Sequence, residues 1–175
     1  MDKQKNFPDI VTRYSILILT ALPNLYIFYK IFTPLTVYPI YFFFKVFFQA
    51  TLSGTVIFLK NLSIQIIDSC VAGSAYYLLL ILNLSIPNIK IKKRLKMILF
   101  AFVIFLTLNL IRIIILSFIA LSNPIIFNIT HKLSWYFLSV VLVVCIWFAE
   151  VKIFNIKEIP FYTDIKSIYK IIYAN

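Results

Sequence analysis

Long apolar stretches recur along most of this chain, and this repetition limits the folds that it can adopt. A helix needs roughly 20 apolar residues to cross a hydrocarbon core of about 30 Å. Hydrophobic residues make up 62% of the 175 positions, which argues against a soluble fold. We therefore expect an all-α polytopic membrane protein with one integral membrane domain, residues 1–175. The stretches predict about five transmembrane helices, at approximately residues 14–32, 35–48, 72–86, 97–121 and 132–149.

The basic residues lie mostly between or after these stretches, and their placement predicts an orientation. A net charge of +11 would suggest nucleic acid in a soluble protein. Beside membrane spans, however, Lys and Arg mark the cytoplasmic side, so we expect no nucleic-acid partner. Segment 88–96 carries five basic residues and no acidic one, and we expect it to be cytoplasmic, like the basic tail 150–175. The third span then begins outside, next to Cys70.

The sequence leaves the orientation of the N-terminus open. If both early segments cross the membrane, the N-terminus lies outside, although Lys3, Lys5 and Arg13 favour the cytoplasm. Otherwise one early segment does not cross completely. Pro23 is expected to kink the first span without ending it, because neighbours in a bundle can satisfy the freed carbonyl.

A strand-like segment precedes Cys70. Apolar and polar residues nearly alternate from Leu62 to Asp68, and a period of two is typical of a β-strand. An open sheet edge cannot face lipid. We therefore expect Ser53–Asp68 to form a short extracytoplasmic hairpin or interfacial segment outside the bilayer core.

Arg112 is the most unusual residue of the predicted spans. It lies in the apolar run Leu108–Leu116, where an arginine costs at least about 2.5 kcal/mol on insertion scales. Asn109 precedes it by three residues, so both side chains lie on one helix face. Counting from Met97, Arg112 lies about 22 Å into the span, in its outer part. Alternatively, Arg112 reaches the outer headgroups and Asn109 pairs with another helix.

The same orientation assigns Cys70 and His131 to the outer side as well. His131 is the only histidine, and it follows a predicted outer loop, Ser122–Thr130. Cys and His are the minimal nucleophile and base, and Arg112 would stabilise the thiolate or an oxyanion. Each residue alone also has a plain structural interpretation, as an apolar filler for the cysteine and a solvated helix end for the histidine. Cys145, inside the fifth span, is expected to be a small buried residue.

The surroundings of Cys70 suggest two uses for Gly73. The segment Cys70-Val-Ala-Gly-Ser-Ala is expected to open a helix, whose first amides favour an anion. Gly73 would permit close approach of another backbone, such as a substrate helix. Tight packing of helices within the chain is the alternative.

These features together resemble the exosortase/archaeosortase family. The resemblance rests on Cys70 with Gly73 at the start of a span, on Leu-Asn-Leu-Ile-Arg-Ile with Asn109 and Arg112, and on His131 followed by Ser-Trp. It covers roughly residues 33–148. The glycine follows the cysteine by three residues, not by two as in the common bacterial box. The chain therefore looks more like the small archaeal branch.

The resemblance implies an enzyme at the outer face of the cell membrane. It would be a thiol peptidase or transpeptidase that cuts surface proteins near a C-terminal signal composed of a short motif, a transmembrane helix and a basic cluster. The new C-terminus would pass to an acceptor, such as a lipid. The catalytic residues would be Cys70, Arg112 and His131, with Asn109 and Gly73 supporting them.

Two other functions stay open at this stage. A non-enzymatic carrier, channel subunit or scaffold would use Arg112 to bind an anion or to pair helices. A lipid-modifying transferase would need Arg112 and His131 but not Cys70. We expect no metal and no other cofactor, since the chain has one histidine and its two cysteines lie far apart in sequence.

Overall fold

A computed structural model of the protein describes residues 3–59, 62–158, 160 and 169. This part of the chain is mostly helical and contains one small sheet. The helices are α1 Lys3–Ala21, α2 Tyr26–Phe48, α3 Asp68–Val71, α4 Gly73–Leu84, α5 Ile91–Ser122, α6 Pro124–Leu133 and α7 Ser139–Ile153. The strands are β1 Thr51–Ser53, β2 Val56–Phe58 and β3 Ser63–Gln65. A π-helical turn, Ser134–Leu138, joins α6 to α7.

Three helices in the described part of the chain are long and apolar enough to cross a membrane. They are α2, α5 and the nearly continuous helix Ile125–Ile153. Helix α4 is apolar but has 12 residues, which span about 18 Å and fall short of a hydrocarbon core. The predicted number of five transmembrane helices is therefore not confirmed, whereas a helical membrane protein agrees with these three.

Helix α1 ends before Pro23, where the sequence predicts only a kink. Its last residue is Ala21, and Asn24 and Leu25 adopt positive φ angles of 49° and 60°. A proline disfavours helical backbone in the residue before it, which explains why the helix stops here. The predicted kink at Pro23 is wrong.

Helix α2 is continuous where the sequence predicts a boundary between two spans. Pro34 and Pro39 both lie inside it, as prolines can when neighbouring groups satisfy the freed carbonyls. The predicted division of this region into two spans, 14–32 and 35–48, is therefore wrong. One candidate span, α2, replaces them.

Two predicted loops are largely helical. Helix α5 begins at Ile91, so most basic residues of segment 88–96 lie in its first turns. The predicted outer loop Ser122–Thr130 is wrong, because α6 begins at Pro124. Asn123 caps this helix by accepting hydrogen bonds from the amides of Ile125 and Ile126. Proline suits the first helical position, since its missing N–H has no partner there in any helix.

The strand-like segment forms a three-stranded antiparallel sheet in the order β1-β2-β3. Ile57 of β2 lies opposite Leu52 of β1 and Ile64 of β3. The prediction of extended structure before Cys70 is confirmed. Residues 60 and 61, in the connection between β2 and β3, lie outside the described residues, as does most of the predicted tail beyond residue 158.

Aromatic side chains fix α4 between α2 and α5. The ring of Tyr76 is fully buried and stacks on Phe32 at a centroid distance of 3.6 Å. It meets Phe102 and Phe105 edge-on at 5.5 and 4.8 Å. Such stacked and edge-to-face pairs add to the stabilisation by burial.

Cys145 is exposed on the surface of α7, so the prediction that it is buried is wrong.

Candidate functional site

Cys70, Arg112 and His131 line one cavity of about 160 Å³. They come from three different helices, namely α3, α5 and α6. Strand β3 and the second half of α5 supply most of the remaining wall. The full lining, in chain order, is Leu62, Ser63, Ile64, Gln65, Cys70, Arg112, Ile113, Leu116, Ser117, Ala120, Phe127 and His131.

The sequence predicts that Cys70 lies at the start of the long helix α4. In the structure, Cys70 lies on a separate one-turn helix, α3, which precedes α4. The backbone turns left-handed at Ala72, with φ of 58°, and this residue separates α3 from α4. The Cys70 amide donates to the Ile67 carbonyl at 2.8 Å. The thiol is free and half-buried. The break at Ala72 therefore presents Cys70 on a short turn ahead of the long helix.

Asn109 holds this turn against α5. Its Nδ2 atom donates to the carbonyl oxygen of Cys70 at 2.9 Å, and the side chain is fully buried. Its Oδ1 atom is buried without a hydrogen-bond partner in the described part of the chain. A buried amide that binds a main-chain carbonyl fixes the position of that carbonyl. Asn109 therefore positions the backbone that carries the thiol.

Arg112 is 8% exposed, and a serine orients it. One terminal nitrogen, Nη1, donates to Ser139 Oγ at 2.6 Å. Ser139 Oγ in turn donates to the Ser134 carbonyl at 3.4 Å, across the π-helical turn. The Nε atom of Arg112 is buried and has no hydrogen-bond partner in residues 3–59 and 62–158. This donor of the guanidinium is thus unsatisfied within the described part of the chain.

His131 lies in the last turn of α6. Its ring packs against Phe127, one turn earlier, at a centroid distance of 5.3 Å. Both side chains line the cavity. Because a helix replaces the predicted loop, His131 has a defined position within α6.

Gly73 makes room for an aromatic ring of the same chain. A Cβ atom at this position would lie 2.8 Å from Cε1 and Cζ of Tyr29 on α2, which is closer than van der Waals contact permits. Of the two interpretations of Gly73, the geometry favours tight packing within the chain. The glycine lets α4 approach α2 closely.

Two features of the site escaped the sequence analysis. Ser139 is an ordinary serine in an apolar run, and only the fold brings it to Arg112. Strand β3 was expected to deliver the chain to Cys70, but Ser63 and Gln65 also form part of the cavity wall. The alternating pattern identifies the strand, and it does not reveal what the strand faces.

The cavity has the groups that thiol chemistry needs. The described lining residues of the cavity include a thiol, an imidazole and a guanidinium, and none of these residues is acidic. A positively charged, largely apolar cavity favours a thiolate or an oxyanion. No protein-family model, curated protein or solved structure matches this chain. The catalytic roles of Cys70, Arg112 and His131 therefore stay predictions from sequence and geometry.

Proposed function

We propose that this protein is a membrane-embedded cysteine peptidase or transpeptidase of the exosortase/archaeosortase type. It would cut C-terminal sorting signals of surface proteins at the extracytoplasmic face and transfer the new C-terminus to an acceptor such as a lipid. The observation that carries the proposal is the convergence of Cys70, Arg112 and His131 on one cavity.

In the proposed reaction, Cys70 Sγ attacks the carbonyl carbon of the scissile peptide bond, and the thiol proton passes to His131. Arg112 stabilises the oxyanion that forms. The C–N bond then breaks, and His131 returns the proton to the leaving amine. The product is a thioester on Cys70. An acceptor amine or hydroxyl would resolve this thioester by transfer, and water would resolve it by hydrolysis.

The orientation of the helices supports an outer location of the site. Helix α5 has 32 residues, about 48 Å in length, so its basic first turns extend beyond a hydrocarbon core of about 30 Å. Lysines and arginines at this end favour the cytoplasm. Helix α2 runs parallel to α5, since Phe28 meets Phe102 and Phe44 meets Phe118. A single early crossing by α2 agrees with a cytoplasmic N-terminus, which two early crossings do not.

The test uses cells that carry the gene and measures the C-termini of their surface proteins by mass spectrometry. Cys70→Ser, Arg112→Ala and His131→Ala should each cause proteins with an apolar segment and a basic C-terminal cluster to accumulate uncut. Cys145→Ser is the matched control, because Cys145 is exposed on α7, and it should process normally. Immunoblots of the membrane fraction check that every variant is inserted.

The same strains separate the proposal from its main alternative. A carrier or scaffold that uses Arg112 to bind an anion or to pair helices would tolerate Cys70→Ser and lose function only with Arg112→Ala. Normal processing in the Cys70→Ser strain would contradict the proposed peptidase.

A further inference from the structure

Strand β3 forms one edge of the sheet in the described part of the chain. The sheet order is β1-β2-β3, so β3 pairs with β2 on one side only. An unpaired strand edge presents a row of main-chain donors and acceptors. Such an edge can accept an additional strand from a peptide.

The pairing of β3 with β2 determines which groups face the open edge. Leu59 N donates to the Leu62 carbonyl at 2.8 Å, and Ile66 N donates to the Thr55 carbonyl at 3.0 Å. In an antiparallel ladder, hydrogen-bonded pairs alternate with pairs that are not hydrogen-bonded. Ile64, opposite Ile57, is therefore directed at β2.

By the same alternation, Ser63 and Gln65 turn their main-chain N–H and C=O groups away from β2. Both residues are exposed. Together they offer two donors and two acceptors along the edge, spaced as the residues of an extended peptide are spaced.

This edge faces the cavity that holds Cys70. Successive side chains of a strand point to opposite faces of a sheet, so a cavity against one face touches every second residue. The Cys70 cavity touches Ser63, Ile64 and Gln65 in succession, a pattern that contact along the edge of β3 explains. The residues that carry the free main-chain groups thus line the same cavity as Cys70.

We propose that substrate binds as an extended peptide on the open edge of β3, through hydrogen bonds to the main chain of Ser63 and Gln65. The peptide forms a fourth strand of the sheet, and its scissile carbonyl lies beside Cys70. This inference rests on the proposed peptidase function and adds the mode of substrate recognition. Because the contacts involve the peptide backbone, two N–H groups of the bound segment are required whatever its side chains are.

The experiment measures how fast peptide reagents alkylate Cys70 in purified Cys145→Ser protein. The probe is acetyl-Ala-Ala-Ala chloromethyl ketone, and chloroacetone is the reagent without a peptide. In both reactions the sulfur forms a bond to the methylene carbon and chloride leaves. Each rate constant is divided by that of glutathione with the same reagent, which removes differences in intrinsic reactivity. We expect the normalised rate constant of the peptide reagent to exceed that of chloroacetone at least about tenfold, which corresponds to one to two net hydrogen bonds.

Two changes should abolish this preference. N-methylation of the alanine amides removes the donors of the peptide and should lower its rate about tenfold. Ser63→Pro and Gln65→Pro remove the N–H groups of the edge but leave the ladder to β2 intact. Leu52→Pro is the matched control, because Leu52 N–H points away from β2 on the opposite edge, and it should keep the preference.

Equal rates for the plain and the N-methylated peptides would overturn the inference. A proline variant that misfolds also changes its rate with chloroacetone. In that case the comparison of plain and N-methylated peptides, made on the protein without a proline substitution, tests the inference. Failure of the proposed function has a different signature. In that case His131→Ala and Arg112→Ala would leave the chloroacetone rate unchanged.

Discussion

Two polar clusters lie among the apolar helices of this protein, and they use their arginines differently. In the first, the Glu150 cluster, the members are Arg13, Asn83, Arg94 and Glu150, and each residue is at most 3% exposed. In the second, the Cys70 cluster, the members are Cys70, Asn109, Arg112, His131 and Ser139. Both arginines of the first cluster bind main-chain carbonyls, whereas Arg112 of the second lines a cavity with Cys70 and His131.

The arginines of the Glu150 cluster complete the end of α4. Arg94 donates to the carbonyls of Asn83, Leu84 and Ile86 at 2.8, 3.0 and 2.9 Å. Arg13 donates to the Leu84 carbonyl at 2.7 Å. Carbonyls at a helix end have no partner within the helix, so these guanidinium groups replace water there.

Arg112 makes a different set of contacts. Its described hydrogen bond goes to the side chain of Ser139, and its buried Nε atom has no partner in the described residues. A charge in a membrane helix is costly unless it serves a purpose. A buried arginine is therefore best judged by what its nitrogens contact, because burial alone does not distinguish Arg94 from Arg112.

The largest expected difference is in stability. Arg94→Ala should lower the free energy of unfolding by about 3 kcal/mol or more, because three buried carbonyls lose a charged donor. Arg112→Ala should lower it by less than about 1.5 kcal/mol, since one hydrogen bond is lost. Thermal unfolding in detergent measures both. Equal destabilisation by the two variants would break the distinction between the clusters.

The next prediction compares two fully buried asparagines. Asn109→Ala should slow alkylation of Cys70 by chloroacetone about tenfold, because it releases the carbonyl that Asn109 binds. Asn83→Ala should leave that rate near the parent value and lower the melting temperature, because Asn83 Nδ2 donates to Glu150 at 3.1 Å. A slower Cys70 reaction in the Asn83 variant alone would reverse the assignment of roles.

A smaller effect is expected at Ser139. Ser139→Ala removes the group that orients Arg112, and it should reduce about fivefold the preference of Cys70 for an anionic over a cationic methanethiosulfonate. Ser117→Ala is the control, because Ser117 lines the same cavity but its hydroxyl donates to Ile113 of its own helix at 2.8 Å. An equal change of this preference in the Ser139 and Ser117 variants would exclude a role of Ser139 in positioning Arg112.

The smallest effect is expected for Glu150→Gln. A glutamine oxygen can accept the hydrogen bond from Asn83 and carries no charge into the apolar helix, so stability should change by less than about 1 kcal/mol. Glu150→Ala should cost about 2 kcal/mol, because Asn83 loses this partner. Chemical denaturation of the two variants provides the comparison. A large loss with glutamine would mean that the charge itself is needed.

Much of the fold follows from patterns within short segments of sequence. The apolar stretches, the alternation before Cys70 and the isolated position of Arg112 each depend on neighbouring residues, and they predict a helical membrane protein, extended structure before Cys70 and the candidate site residues. The orientation argument also assigns Cys70, Arg112 and His131 to one side, and the structure brings them to one cavity.

The features that the sequence does not predict depend on packing between distant segments. Pro23 ends a helix while Pro34 lies inside one, and the sequence around them does not distinguish the two cases. Asn123 and the proline after it suit a loop as well as a helix start. Ser139 lies 27 positions from Arg112, and only the packing of α7 against α5 brings the two together.

The most direct test of the account labels intact cells with a membrane-impermeant maleimide in the Cys145→Ser background. If the thiolate site lies at the outer face, Cys70 reacts from outside the cell, and Arg112→Ala and His131→Ala each slow this reaction about tenfold or more. Arg94→Lys serves as the control outside the site. Labelling of Cys70 only after the membrane is opened, or at the same rate in all variants, would contradict the proposed outer thiolate site.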